Sequence, residues 1–190
     1  MDLFDLVRTY KIPEDVVKEA RNKIDTDENL FWERHTYVSS MPPGIEDKEE
    51  DNGEIEPFVC TLNASKLSFD MCAFALEAYY DEFKYAQAPQ FSSVRLNRYK
   101  KGCQMLPHVD SISTLFSGDR RGVPACSVVG LLRGAEEGGE FFIRAPDQTY
   151  REFLTEDQTV VVFPSSFVYE HYVLPVKKGI RDSYVSWTYY

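Results

Sequence analysis

The chain has 190 residues and a formal net charge of −10, which comes from 31 acidic and 21 basic side chains. This length suits one ordinary domain with a sizeable core. The acidic balance disfavours long nucleic acids as partners, because binding to a phosphate backbone depends on Lys and Arg. Four well-separated cysteines, together with the lack of a signal sequence or a membrane-spanning run, indicate a cytoplasmic protein with reduced thiols.

The N-terminal region is predicted to alternate between strands and a helix. Residues 3–12 predict a short strand, and the Pro-Glu-Asp sequence at residues 13–15 is typical of the first turn of a helix. Residues 29–39 contain aromatic and β-branched side chains and predict a second strand. His35 lies there without an acidic residue at ligand spacing, so we interpret it as a surface or hydrogen-bonded structural histidine.

Residues 41–57 differ in character from the rest of the chain, because they hold seven acidic side chains and one lysine. Such a segment buries too little apolar surface to order itself and predicts a mobile loop. A solvated loop without function is the simpler interpretation, since most charged runs are solvated surface.

A second helix is predicted from a cap at Ser65 or Ser68 to about Lys84, with an apolar stripe that packs in the core. Residues 93–99 then alternate as a strand does. One face of this strand carries Arg95, Asn97 and Tyr99. Tyr99 is therefore expected to face the interior.

From residue 125 onward, short strands at close spacing predict an all-β sandwich or barrel. The Glu-Glu-Gly-Gly-Glu sequence at residues 136–140 is interpreted as a hairpin connection, because Gly supplies the positive φ that tight turns need. The predicted strands cover residues 126–132, 140–144, 150–153, 159–163, 167–173 and 181–189.

The residues that indicate chemistry are His108, Asp110 and His171. Side chains two apart on an extended segment share a face, so His108 and Asp110 bring an imidazole and a carboxylate to one point. Alone, this pair is a weak signal, and an exposed turn is its simpler interpretation. The signal is stronger because His171 lies in a later predicted strand. Arg181 and Ser183 then share one face of the next predicted strand. Two histidines and a carboxylate on one face of a metal are typical of non-haem ferrous oxygenases.

Over residues 91–190 this pattern resembles the 2-oxoglutarate- and iron-dependent oxygenases, and within them the prolyl 4-hydroxylase-like branch. The resemblance implies a mainly β fold with supporting α-helices around a double-stranded β-helix, a cupin-like jelly-roll core. It implies one catalytic domain over residues 1–190, in which residues 1–90 supply the N-terminal strands, the helices and the acidic loop. It also implies Fe(2+) bound by His108, Asp110 and His171 as catalytic residues, 2-oxoglutarate and O2 as cosubstrates, and ascorbate as an auxiliary reductant.

The resemblance also implies the contacts of 2-oxoglutarate. Arg181 would hold its distal carboxylate, since a planar guanidinium can bind a carboxylate through two hydrogen bonds. Ser183 would add a hydroxyl hydrogen bond. Tyr99 would be a third contact, because Tyr-x8-His-x-Asp with Pro before the first His matches prolyl 4-hydroxylases. A structural salt bridge, a strand serine and a core tyrosine are the simpler interpretations. Leu131 stands where many relatives carry a further tyrosine contact.

For the substrate, the resemblance implies hydroxylation of a C–H bond in a prolyl residue of a peptide or protein, with succinate and carbon dioxide as co-products. Trp187, six residues after Arg181, is expected to wall the substrate pocket, and a core tryptophan is its simpler interpretation. The acidic loop at residues 41–57 occupies the place of a loop that closes over the peptide in oxygen-sensing prolyl hydroxylases.

Other functions stay open. A 2-oxoglutarate oxygenase could act on another amino-acid side chain, a small molecule or a nucleic-acid base. Base-demethylating relatives carry a second arginine six residues after the cosubstrate arginine, where this chain has Trp187. A non-catalytic jelly-roll module that retains a metal is a third possibility. We expect a peptide or protein partner, with no nucleic-acid or membrane partner, and the sequence leaves the oligomeric state open.

Overall fold

The structure is a computed structural model that describes residues 2–35, 55–84, 88, 90–110, 124–145 and 147–190. In these residues two helices, α1 (Glu14–Thr26) and α2 (Lys66–Glu82), accompany fourteen strands. No helix in this part of the chain has the length and apolar character that a membrane crossing requires. The strands are β1 (Arg8–Lys11), β2 (Glu33–Arg34), β3 (Phe58–Thr61), β4 (Gln90–Phe91), β5 (Arg95–Tyr99), β6 (Met105–His108), β7 (Pro124–Arg133), β8 (Glu137–Gly138), β9 (Phe141–Arg144), β10 (Tyr150–Phe153), β11 (Thr159–Pro164), β12 (Glu170–Val173), β13 (Val176–Lys178) and β14 (Arg181–Tyr189).

Two antiparallel sheets form the core of the fold. The described part of the major sheet has the order β1-β11-β7-β14-β5-β3-β2, and β4 pairs with β14 outside this path. The minor sheet has the order β10-β9-β12-β6, and a small ladder joins β8 to β13. This arrangement is the jelly-roll architecture, so the predicted fold class is confirmed.

Both helices pack against one face of the major sheet. Helix α1 begins after Pro13 with two acidic residues in its first turn, and α2 begins at Ser65, whose hydroxyl accepts a hydrogen bond from the Ser68 backbone N–H. The Ser65 cap satisfies a donor that the start of α2 leaves open, and the acidic first turn of α1 interacts favourably with the helix dipole. The apolar faces of both helices join one buried cluster with Val128, Val162 and other strand side chains. This packing leaves the opposite face of the sheet for the pocket described below.

The N-terminal strands are shorter than predicted. Residues 3–6 form a 3-10 helix instead of a strand, because Asp2 and Asp5 form a capping box at its start. Of the second predicted strand, residues 29–35 are described; they contribute only the two-residue strand β2, and Phe31 before it is 78% exposed. Residues 36–39 lie outside the described part of the chain, as do residues 41–54 of the predicted acidic loop.

The hairpin predicted at residues 136–140 is wrong. Strand β7 before it belongs to the major sheet and β9 after it to the minor sheet, so the segment carries the chain from one sheet to the other. Its two residues in β8 pair with β13 instead. The positive φ expected for glycine is present at Gly138 and Gly139, with values of 77° and 78°.

Candidate functional site

A pocket lies between the two sheets and is lined from both. From the major sheet, β5 and β14 run side by side, with Tyr99 opposite Arg181 and Asn97 opposite Ser183. Because side chains alternate along a strand, these four residues share the face that lines the pocket. The faces that the sequence predicted for β5 and β14 are therefore confirmed.

The minor sheet brings two histidines together at the other wall of the pocket. His108 of β6 and His171 of β12 are direct cross-strand partners, and Asp110 follows two residues after His108. Nε2 of His108 is 3.9 Å from Asp110 Oδ1, and Nε2 of His171 is 3.6 Å from Asp110 Oδ2. One ligand atom from each residue lies within 4.8 Å of the others. Among the described residues this is the one such group that could hold a metal ion.

Backbone carbonyls orient both imidazoles for metal binding. Nδ1 of His108 is 2.8 Å from the Leu106 carbonyl oxygen, and Nδ1 of His171 is 3.1 Å from that of Tyr169. A carbonyl oxygen can only accept, so each Nδ1 carries the proton and donates it. Each Nε2 then keeps its lone pair for a metal, which is the usual tautomer of a histidine ligand held by a backbone partner.

The electrostatics also favour ligand-competent protonation states. Burial lowers the pKa of His108 to about 4, and the neighbouring His171 adds to this effect. Burial alone would raise the pKa of the Asp110 carboxyl, but the two histidines, the hydrogen bond from Ser127 and the nearby indole of Trp187 bring it below its usual range. At neutral pH His108 is therefore a neutral imidazole and Asp110 an ionised carboxylate, as metal binding requires.

Arg181 is a buried cation, and none of the described carboxylates forms an ion pair with it. It is 2% exposed, its Nη1 donates to Ser183 Oγ at 2.7 Å, and its guanidinium lies over the Tyr99 ring at 5.0 Å. Its Nη2 is buried and has no hydrogen-bond partner among the described residues. The adjacent carboxylate of Asp182 is bound instead by Arg98.

An anionic ligand would complete this part of the pocket. Burial lowers the pKa of Arg181, yet a guanidinium stays protonated at neutral pH. A buried charge is strongly unfavourable unless it is paired, and the free Nη2 is a donor suited to a carboxylate. Since Ser183 Oγ already accepts from Arg181, its own proton remains to be donated to the same ligand. The donor set therefore fits a dicarboxylate such as 2-oxoglutarate, beside a metal held by two imidazoles and a carboxylate.

The structure also shows residues in or beside the pocket for which no role was predicted from the sequence. Asn97, 5% exposed, has a buried Oδ1 without a partner in the described residues. The guanidinium of Arg95 lies over the Trp187 ring at 5.2 Å. Alternation along β5 indicated the orientation of both residues but not their contacts. Ser127, which donates to Asp110, had no signal in the sequence because its contact joins different sheets.

His35 is a hydrogen-bonded structural histidine, as the sequence predicted. Its Nδ1 lies 3.2 Å from Oε2 of Glu56, a carboxylate that is 3% exposed. The backbone N–H of His35 donates to the Pro57 carbonyl oxygen at 2.9 Å. These contacts join β2 to the segment before β3, apart from the metal-binding group.

Comparison with known families agrees with this site. The model of the 2OG-Fe(II) oxygenase superfamily matches residues 94–189, which is about half of the chain. The matched range contains His108, Asp110, His171 and Arg181. The chain belongs to this superfamily. It is a 2-oxoglutarate-dependent dioxygenase, with Fe(2+) as its cofactor and 2-oxoglutarate and O2 as its cosubstrates. No curated protein matches the chain significantly.

Solved structures of prolyl hydroxylases share the fold. A prolyl-4-hydroxylase from Pseudomonas putida is 18% identical, with a TM-score of 0.64 over 96% of this chain and 91% of that chain. A viral collagen prolyl hydroxylase from Paramecium Bursaria Chlorella virus-1, in complex with 2-oxoglutarate, is 16% identical, with a TM-score of 0.60 over 96% and 94%. A Trichoplax adhaerens prolyl hydroxylase in complex with a hypoxia inducible factor peptide is 10% identical, with a TM-score of 0.64 over 96% and 83%. At these identities the similarity establishes the jelly-roll fold.

Proposed function

We propose that this dioxygenase hydroxylates a prolyl residue in a peptide or protein. The oxygenase site is supported by one observation: the buried Arg181 lines the same pocket as the His108, Asp110 and His171 group. Nη2 of this arginine has no hydrogen-bond partner among the described residues and is available to a cosubstrate. The prolyl substrate is supported by the presence of Trp187 in the lining of this pocket and by the similarity to prolyl hydroxylases. The helices pack on the core sheet, which supports one catalytic domain over residues 1–190.

The metal would be held by Nε2 of His108, Nε2 of His171 and the carboxylate of Asp110. When bound, ferrous iron with 2-oxoglutarate and O2 supplies an oxidation in which cosubstrate decarboxylation to succinate and carbon dioxide is coupled to C–H hydroxylation. The backbone carbonyls of Leu106 and Tyr169 keep the imidazoles in the correct tautomer. These three side chains would hold the metal and would leave its remaining coordination positions to exchangeable ligands.

Arg181, Ser183 and Tyr99 would hold the distal carboxylate of 2-oxoglutarate. Nη2 of Arg181 and the hydroxyl of Ser183 donate toward it from β14, while the Tyr99 ring supports the guanidinium from β5. Burial raises the pKa of Tyr99, so its phenol stays protonated and can donate as well. A buried, charge-assisted site of this kind discriminates against ligands that lack the second carboxylate.

The prolyl ring would pack against Trp187. The indole is 4% exposed, lines the same pocket as the metal-binding group and helps to lower the pKa of Asp110, which places it next to the metal ligands. A flat apolar wall suits a pyrrolidine ring, which offers apolar surface and no side-chain hydrogen bond. Val185 and Val129 extend the apolar lining on the same sheet. These walls also exclude water from the reacting position.

A coupled assay tests the proposal. The protein, supplied with Fe(2+), 2-oxoglutarate and ascorbate, is incubated with a library of proline-containing peptides and a matched library in which alanine replaces each proline. We expect the proline library to stimulate succinate formation and to gain one oxygen atom by mass spectrometry at the prolyl residue. Stimulation by free amino acids or nucleic acids, with none by the proline library, would contradict the prolyl substrate and leave the oxygenase class intact.

A further inference from the structure

Two buried serines form a chain of hydrogen bonds that ends at Asp110. Ser127 is in the middle of β7, between Phe163 of β11 and Trp187 of β14, and is 0% exposed. Its Oγ lies 2.6 Å from Oδ2 of Asp110 and 2.7 Å from Oγ of Ser165, which is 3% exposed. The hydrogen bond between Ser127 and Asp110 joins β7 of the major sheet to the segment that follows β6 of the minor sheet.

The direction of these hydrogen bonds follows from the number of protons. An ionised carboxylate can only accept, so the single hydroxyl proton of Ser127 is donated to Asp110. The bond between the two serines then requires Ser165 to be the donor. The result is a directed chain from Ser165 through Ser127 to Asp110. In such a chain each bond polarises the next, which makes Ser127 a stronger donor than an isolated serine.

The chain fixes how Asp110 can present its carboxylate. A hydrogen bond to Oδ2 from a rigid strand holds the torsion of the side chain and occupies one of the lone pairs of that oxygen. It therefore opposes binding of a metal through both oxygens at once. A three-ligand site with open positions depends on each ligand, so the orientation of the single carboxylate matters for retention of iron.

We propose that Ser127 and Ser165 are positioning residues that hold Asp110 in place before iron binds. The proposal rests on the proposed metal site. It explains why the Asp110 carboxylate is already oriented toward the two histidines without a metal. Residues that hydrogen-bond a metal ligand typically change metal affinity by about 10–100-fold when they are removed. A serine that served only to satisfy its own buried hydroxyl would affect the stability of the apoprotein and not its affinity for the metal.

The test compares four variants by anaerobic titration with Fe(2+) and, independently, with Co(2+). Ser127→Ala removes the donor, and Ser127→Cys keeps the volume but leaves a weak donor. Ser165→Ala removes only the polarising partner. Ser186→Ala is the matched control, because Ser186 is an equally buried serine of the same sheet that donates to the Ser92 carbonyl oxygen instead.

We expect Ser127→Ala to weaken metal binding about 10–100-fold, with Ser127→Cys and Ser165→Ala intermediate and Ser186→Ala unchanged. The rise in Tm that saturating metal produces should shrink in the same order, because this rise depends on affinity for the folded state. Wild-type affinity in both Ser127 variants would overturn the proposal. Retention of wild-type affinity by His171→Ala would instead overturn the metal site itself, which separates the two failures.

Discussion

His108 and His171 are direct cross-strand partners on β6 and β12, and their imidazole ring centroids lie 4.3 Å apart. This register brings together two residues that are 63 positions apart in the chain. It depends on hydrogen bonds between strands of the minor sheet, so the ligand geometry exists without a metal. The site should therefore bind a metal without rearrangement of its strands.

The first prediction concerns the metal ligands. His171→Ala should abolish firm iron binding and turnover, because an incomplete set of three ligands cannot retain iron in a site with open positions. Iron content per chain after desalting, measured with a colorimetric chelator, checks this result. His35→Gln is the matched control, since His35 pairs with Glu56 and should keep the wild-type iron content. Equal iron content in the two variants would refute the ligand assignment.

The second prediction concerns the cosubstrate. Arg181→Ala should raise the KM for 2-oxoglutarate by about 30-fold or more, since losing one partner of a buried charge pair costs about 2 kcal/mol or more. Iron affinity in the absence of 2-oxoglutarate should not change, because Arg181 does not touch the histidine group. Arg181→Lys should recover part of the activity by keeping the charge while losing the planar fork. An unchanged KM in Arg181→Ala would remove this residue from the cosubstrate site.

The third prediction separates the two contributions of Trp187. Trp187→Phe should retain peptide hydroxylation at a reduced rate, because it keeps an aromatic wall and loses the indole N–H that helps to lower the pKa of Asp110. Trp187→Ala should consume 2-oxoglutarate with little hydroxylated peptide, because the substrate ring loses its wall. The ratio of succinate to hydroxylated peptide measures this uncoupling. A ratio of one in Trp187→Ala would show that the indole does not position the substrate.

The fourth prediction concerns the packing that supports the site from behind. A Cβ added at Gly130 of β7 would lie 2.0 Å from the ring of Tyr184, which is 0% exposed. Gly130→Ala should therefore destabilise the protein by about 1–3 kcal/mol, the usual range for overpacking. Denaturant unfolding measures the effect, with Gly134→Ala as a comparison, since only the side chain of Asp157 lies close to a Cβ there. Adding Tyr184→Leu should recover part of the loss if the ring is the obstacle.

The sequence predicted the parts of the site that depend on local geometry. Alternation along β5 and β14 was sufficient to place Tyr99, Arg181 and Ser183 on one face, because a strand has a fixed period of two. The spacing of His108 and Asp110 placed both on one side for the same reason. These faces are fixed by the backbone itself, whichever strands pair beside them.

The sequence could not supply features that arise when distant segments meet. The interpretation of residues 136–140 as a hairpin failed because turn chemistry does not tell which sheet receives the next strand. Ser127 was missed because its partner Asp110 follows β6, a strand of the other sheet. The unpaired Nη2 of Arg181 was equally invisible, since it depends on where every other buried anion lies. Pairing and charge balance are properties of the assembled core.

Strand β14 is buried along both faces, with Arg181, Ser183 and Trp187 turned toward the pocket and Tyr184 turned toward the helices. Insertion or deletion of one residue within this strand would exchange the two faces beyond that point. A guanidinium would then face the apolar helix layer, and a phenol ring would enter the pocket. Natural relatives should therefore tolerate length changes next to β14 but not within it, and a designer who wishes to alter the pocket should replace residues here without changing their number.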